Sequence, residues 1–284
     1  MAQARRTGNK PPRAKVKANG NAPPARQGVQ QMVECYNDPA WQAAKASRRN
    51  IDHNDAVQES FFLQKQFRRL WSSRMAASPV DLNDILRILI RKKVPFVLTG
   101  AHAIGGWTGR PRDTYDVDIL VKGGRNYVRA VNAMKALYPQ LEVREFPGLM
   151  GFFIPGEKES VIDVIYPHRA DLQETLAHPI WTEDKALGLR YRVPTLEAAL
   201  ASKYAAMLNP TREIGKRLLD SVDFRWMVLH SMDEGRQPID LKLLADLGEK
   251  VWPGGGGKEL LRLVEHLKTG GAISIDRLGQ LVLL

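Results

Sequence analysis

Asp116 and Asp118 sit two residues apart in the run Thr114-Tyr115-Asp116-Val117-Asp118-Ile119-Leu120-Val121. If that run is a strand, alternate side chains share a face, so both carboxylates point one way and Val117 and Ile119 the other. Two like charges on one face of an apolar run repel each other and lose solvation. A divalent cation removes that cost, and Mg²⁺ takes oxygen ligands while keeping waters or substrate phosphates in its other positions. An isolated Asp-x-Asp is also what a polar strand end at the surface looks like. A third carboxylate, Asp163, interrupts the β-branched run Val161-Ile162-Asp163-Val164-Ile165. There it is either satisfied by a partner or completes a metal site.

Two neighbouring segments could hold phosphate. Phe96-Val97-Leu98-Thr99-Gly100-Ala101 reads as a short apolar strand ending in glycine and a tiny residue. At such a turn the backbone N–H groups can approach an anion; a plain tight strand–helix turn has the same composition. Gly109-Arg110-Pro111-Arg112 is a basic loop just before the Asp-x-Asp run, and arginine clamps phosphate bidentately unless the loop is simply solvated.

The elements that would position these residues follow from periodicity and turn chemistry. A helix over Val80–Lys92 carries Leu82, Ile85, Leu86, Ile88 and Leu89. Strands are expected at Phe96–Leu98 and Tyr115–Val121, with a short helix between them over Ala101–Trp107. An amphipathic helix over Asn126–Tyr138 and β segments at Leu141–Phe146, Met150–Ile154 and Ser160–Tyr166 follow. From Pro194 the pattern is helical, with Thr195 able to cap Leu196–Leu208, then Arg212–His230, Asp240–Val251 and Lys258–Lys268. The expected fold class is α+β: a mixed sheet with flanking helices, then a C-terminal helical region. The expected division is a disordered basic tail (1–31), a helical arm (32–78), an α/β core (79–170) and the helical region (171–284).

This order of elements resembles the nucleotidyltransferase superfamily with the DNA polymerase β-type fold. The residues that carry the resemblance are the apolar strand closed by Gly100-Ala101, the short helix, Asp116-x-Asp118 among apolar residues, and Asp163 on a later strand. GAHAIGGWTGRPRDTYDVDILV is most similar to compact bacterial members, including AbiEii-type toxins, and the resemblance covers about residues 80–230. It implies Mg²⁺- or Mn²⁺-dependent transfer of a nucleoside monophosphate from an NTP to an acceptor, with Asp116, Asp118 and Asp163 as metal ligands. It implies phosphate contacts from Gly100 and Ala101, with Arg110, Arg112 and Lys203 as further contacts. The acceptor would be an RNA or tRNA end, a protein or a small molecule, and an AbiEii-type toxin would have an antitoxin protein as partner. Lys203 resembles the family's lysine on the helix after the core, and Lys216 through Asp220-Ser221-Val222-Asp223 resembles its basic residue followed by Asp-x-x-Asp. Asp220 and Asp223 share a helix face and could contact the substrate or Lys203. The family usually has Gly-Ser or Gly-Gly where this chain has Gly100-Ala101, so only the Ala101 N–H could serve. That difference and the basic tail motivate a second reading, a non-catalytic nucleic-acid-binding or regulatory protein on a degenerate core.

Composition narrows the field. The 284 residues carry 42 Lys+Arg and 31 Asp+Glu, a formal charge of +11. Seven of those cations lie in residues 1–31, which hold no acid, so the rest of the chain has 35 basic against 31 acidic side chains. A tail of this composition cannot bury enough apolar surface to order itself, and it either contacts nucleic acid or is simply solvated. The lone cysteine, Cys35, excludes an intramolecular disulfide and a cysteine-based zinc site. No apolar run reaches the ~18 residues of a membrane span, and the start lacks the apolar stretch of a secretory signal, so a cytoplasmic protein is expected. Trp252-Pro253-Gly254-Gly255-Gly256-Gly257-Lys258-Glu259 imitates a P-loop but lacks its first glycine and its Ser/Thr, and reads as a flexible linker.

Overall fold

The computed structural model describes residues 53–54, 56–58, 80–110, 114, 116–184 and 187–284. The expected tail 1–31, most of the arm 32–78, and Arg112 lie outside these residues. Of the arm, residues 53, 54 and 56–58 are helical, and Ala56 and Val57 are buried.

Helix α1 (Leu82–Arg91) begins where Asp81 accepts a hydrogen bond from the Asn83 N–H, and it buries Leu82, Ile85, Leu86 and Leu89. Strand β1 (Phe96–Thr99) follows, then α2 (Gly100–Thr108), β2 (Val117–Val121), α3 (Arg125–Leu137), β3 (Glu142–Phe146), β4 (Leu149–Phe153) and β5 (Ser160–Ile165). The five strands form one mixed sheet in the order β1-β2-β5-β4-β3. β2 and β5 are parallel at its centre, and the β1–β2, β5–β4 and β4–β3 pairs are antiparallel.

The two faces of the sheet pack differently. Phe96, Leu98, Val117, Ile119 and Val121 join α1 and α3 in one core. Val97 and Leu120 face the other way, against Leu172 of α4 (Ala170–Ala177). Each fully buried Val or Ile on β2 contributes about 1.5–3 kcal/mol of transfer free energy. A one-residue slip would therefore bury Asp118 in the first core and expose Ile119, and the hydrophobic pattern fixes which face carries the carboxylates.

Beyond the sheet, β6 (Ile180–Asp184) and β7 (Leu189–Val193) form an antiparallel hairpin. Helices α5 (Leu196–Leu208), α6 (Ile214–His230), α7 (Leu241–Val251) and α8 (Gly256–Lys268) follow, then a short hairpin of β8 (Ile273–Ile275) and β9 (Leu281–Leu283). These helices share a second core around Leu200, Tyr204, Phe224, Met227, Leu244, Leu260 and Leu263, which Ile104 of α2 enters. The region from residue 171 thus carries two hairpins besides its helices. β6 alternates half-buried and exposed residues and β7 buried and outward-facing ones, over only five positions each, a weak periodic signal.

The glycine-rich segment is not a linker. Gly254, Gly255 and Gly257 all donate their N–H groups to the carboxylate of Glu249 on α7, with Gly255 at 3.2 Å and Gly257 at 3.3 Å from Oε2. The loop wraps an anion, and the anion is the chain's own side chain. These bonds hold the Glu249 carboxyl below the usual range.

Candidate metal and nucleotide centre

Asp118 and Asp163 are register partners across the parallel β2–β5 pair, so their Cα atoms sit side by side with side chains on one face. Asp116 lies just before β2 with the same parity, and Thr114 donates its hydroxyl to Asp116 Oδ1 at 2.7 Å. One carboxylate oxygen from each of Asp116, Asp118 and Asp163 falls within 4.8 Å of the others. All three are half-buried, facing the side of the sheet that carries Val97, Leu120 and α4.

Two glycines make room for the cluster. Thr99 is the register partner of Asp118, and Gly100 follows at φ +68°, where a Cβ would lie 1.8 Å from Asp118 Oδ2. Any other residue there would be strained and would push the carboxylate aside. Gly151 of β4 is the register partner of Asp163, and a Cβ on it would come within 3.3 Å of Asp163 Oδ1. The N-terminus of α2 therefore opens beside Asp118, with Gly100 and Ala101 as its first residues and no side-chain cap from Thr99. Its unpaired N–H groups and dipole favour negative charge there.

The electrostatics are those of crowded anions. Burial, reinforced by Asp116 and Asp163, pushes the Asp118 carboxyl well above the usual range, and Lys203 and Arg212 offset part of that. Burial also raises Asp163 to about 6, against a hydrogen bond from Ser160 that lowers it, with Asp116 raising it and Lys216 lowering it. Asp163 Oδ1 is buried with no hydrogen-bond partner among the described residues. Hard oxygen donors, close packing and an unsatisfied buried oxygen all fit a divalent cation.

The cations that act on the cluster come from α5, α6 and the loop between them, which carries Arg212. Lys203 Nζ lies 2.8 Å from both Asp220 Oδ1 and Asp223 Oδ2. Asp220 also accepts from Arg212 Nε at 2.7 Å, so two buried carboxylates hold the positive charges in place. Lys216 pairs with Glu159 at 3.0 Å. The α5 helix is itself anchored beside Lys203, where Ser202 donates to Asp171 at 3.2 Å and Arg169 binds the same carboxylate through two nitrogens. Arg110 stacks its guanidinium over the Trp226 ring at 3.2 Å.

Sequence reasoning passed over Thr114, Gly151 and Arg212. A hydroxyl two residues before an aspartate and a glycine inside a strand pattern are readable signals. Nothing in the sequence around Arg212 marks it, because its link to Lys203 runs through Asp220 one helix away.

No family model matches the chain, and no match was found among curated proteins. The chain is similar to the crystal structure of an antigenic nucleotidyltransferase-like protein from Paracoccidioides brasiliensis, at 17% identity and a TM-score of 0.37, over 65% of this chain and 95% of that one. No helix among the described residues is long and apolar enough to cross a membrane.

Proposed function

We propose that this chain is a nucleotidyltransferase that moves a nucleoside monophosphate from an NTP to an acceptor hydroxyl. The observation that carries this reading is the convergence of Asp116, Asp118 and Asp163 within 4.8 Å beside the open N-terminus of α2. Asp116 and Asp118 would hold Mg²⁺ or Mn²⁺, with Asp163 completing the set on the acceptor side. When bound, the cation neutralises triphosphate charge and aligns attacking and leaving oxygens. The Gly100 and Ala101 N–H groups seat the terminal phosphates, drawn by the helix dipole. Lys203 and Arg212, fixed by Asp220 and Asp223, supply positive potential facing the same carboxylates. As an alternative to ligating the ion, Asp163 would act as base to the attacking hydroxyl. The acceptor oxygen bonds to the α-phosphorus as the α–β bridging bond breaks and pyrophosphate leaves. Arg110 and Arg112, in the sequence just before Asp116, would be further phosphate contacts.

Lys203, held between Asp220 and Asp223, resembles the AbiEii-type pattern of a lysine helix followed by Asp-x-x-Asp; on that resemblance the acceptor would be a tRNA end, with a toxin role and an antitoxin partner. The test is transfer of label from α-³²P-labelled NTPs to RNA, protein and small-molecule acceptors with Mg²⁺ or Mn²⁺. Wild type is expected to label one acceptor class. Asp118→Asn is expected to lose transfer, since an amide oxygen is a poorer ligand for a hard cation. Its metal-free melting temperature should hold or rise, since one of three repelling charges is gone. Full transfer by Asp118→Asn overturns the reading.

A further inference from the structure

The β6–β7 hairpin has two unlike faces. Leu189, Tyr191 and Val193 of β7 are buried in the core that the sheet shares with α1 and α3, and Ile180 packs against it. The opposite face follows from the register, which pairs Trp181 with Arg192 and Glu183 with Arg190. These four side chains therefore project together on the outward side. The hairpin beneath them is tied down at both ends. At its turn the Leu187 N–H donates to Asp184 Oδ1 at 2.9 Å, and on the inner face the Tyr191 hydroxyl donates to Asn54 at 3.2 Å.

The outward face joins an aromatic ring to charge that nothing neutralises. Trp181 is 57% exposed. The guanidinium carbon of Arg190 lies 4.7 Å from the centre of its ring and that of Arg192 5.6 Å. Among the described residues neither guanidinium pairs with a carboxylate, and none accepts the Trp181 indole N–H. Trp107, by contrast, donates its indole N–H to the Pro194 carbonyl at 3.0 Å. Glu183 is exposed on the same face, and no ion pair ties it to its register partner Arg190. A lone exposed indole needs no explanation, but an indole beside two unpaired arginines is a stacking surface with cationic edges.

We propose that this face of the hairpin binds single-stranded RNA: a base stacks on the exposed indole of Trp181, Arg190 and Arg192 contact the flanking phosphates, and Glu183 accepts from a ribose 2′-hydroxyl. Charge and shape together choose the partner. A guanidinium matches the oxygens of a phosphate, and every base has a π-face to lay on the ring. An acidic peptide would use the arginines and leave the indole unmatched. Glu183 repels a phosphate but accepts from a 2′-hydroxyl, which DNA lacks. The surface does not depend on the nucleotidyl-transfer reading. None of its residues belongs to the carboxylate cluster, and its contacts need no metal.

The test is fluorescence-anisotropy titration of the full-length chain in EDTA with a labelled oligouridylate of about 12 nucleotides, repeated at several salt concentrations. Saturable binding is expected. Trp181→Ala should weaken it about tenfold with the salt slope unchanged, and Trp181→Phe should recover most of that loss. The double variant Arg190→Gln, Arg192→Gln should weaken it and lower the steepness of log K against log salt by about 1.4, at roughly 0.7 per phosphate contact. The matching oligodeoxyuridylate should bind several-fold more weakly, and Glu183→Ala should narrow that gap. If Trp181→Ala does not fold, the arginine pair decides. Four results overturn the proposal: no binding by folded wild type, binding that neither the tryptophan nor the arginine variants weaken, equal affinity for the deoxy strand, or competition by polyglutamate that matches unlabelled RNA. Binding carried by residues 1–31 alone falls under the second. Labelled transfer with Mg²⁺ is measured separately and reports on the carboxylate centre, so either reading can fail alone.

Discussion

At Asp163 the chain holds a carboxyl that resists ionisation, and the consequence is a pH dependence of unusual sign. The native carboxyl is raised to about 6, above its unfolded value, so between about pH 4 and pH 6 the native state binds more protons than the unfolded state. Stability contributed by this group is present below the unfolded pKa and is lost as pH rises through about 6. Metal-free protein should therefore melt at lower temperature at pH 7.5 than at pH 5, and Asp163→Asn should reduce that difference, the raised Asp118 carboxyl contributing with the same sign. Saturating Mn²⁺ should abolish it, since the ion compensates the charge; a metal-free melting temperature that rises over this interval in wild type but not in Asp163→Asn would contradict the raised carboxyl. Gly100 makes a complementary prediction. Alanine at φ +68° brings backbone strain of about 1–3 kcal/mol, and its Cβ lands on Asp118 Oδ2. Gly100→Ala should lose metal affinity as well as stability, both read from melting curves with and without Mn²⁺.

Among the elements, what was legible is what repeats. The α1 helix, the β1 strand and the β2 strand follow the expected spans to within a few residues, because their apolar residues recur at helix or strand spacing. Thr195 caps α5 as its position suggested, accepting from the Ala198 N–H at 3.2 Å. The approach of Asp116 to Asp118 was readable from parity, but the place of Asp163 beside them depends on β5 lying parallel to β2, a pairing set by sheet order. The Glu249 nest was unreadable for a similar reason: its glycines were visible, and the carboxylate that fills them belongs to the preceding helix. The α5–α6 pair gives the prediction at this scale. Asp220 is 1% exposed and serves both Lys203 and Arg212. Asp220→Ala leaves a nearly buried ammonium with one partner, and should cost about 3 kcal/mol in chemical denaturation. Labelled transfer should fall further than stability alone explains, because Lys203 is no longer held.

Taken whole, the chain divides its positive charge between residues 32–284, where basic and acidic side chains nearly balance, and residues 1–31, where they do not. Seven cations and no acid occupy residues 1–31, outside the described part of the structure, while Asp116, Asp118, Asp163 and the cations facing them all lie between residues 116 and 220. Deleting residues 1–31 should leave transfer to a small acceptor intact. If the acceptor is RNA, the deletion should weaken its binding and lower the steepness of log K against log salt by up to about 5, at roughly 0.7 per phosphate contact on single strands. Titrations of RNA at several salt concentrations measure this directly, and lost turnover by a folded truncation would show that the tail takes part in chemistry.

The carboxylate in the glycine-rich loop has a consequence for which anions this protein can collect. Glu249 is tethered only five residues before Gly254, so its local concentration at those N–H groups is set by a short chain rather than by the solution. Free phosphate or a nucleotide tail has to compete with a ligand that never diffuses away. The loop is thereby a decoy turned inward: it has the donors of a phosphate cradle, yet an intramolecular competitor already fills them.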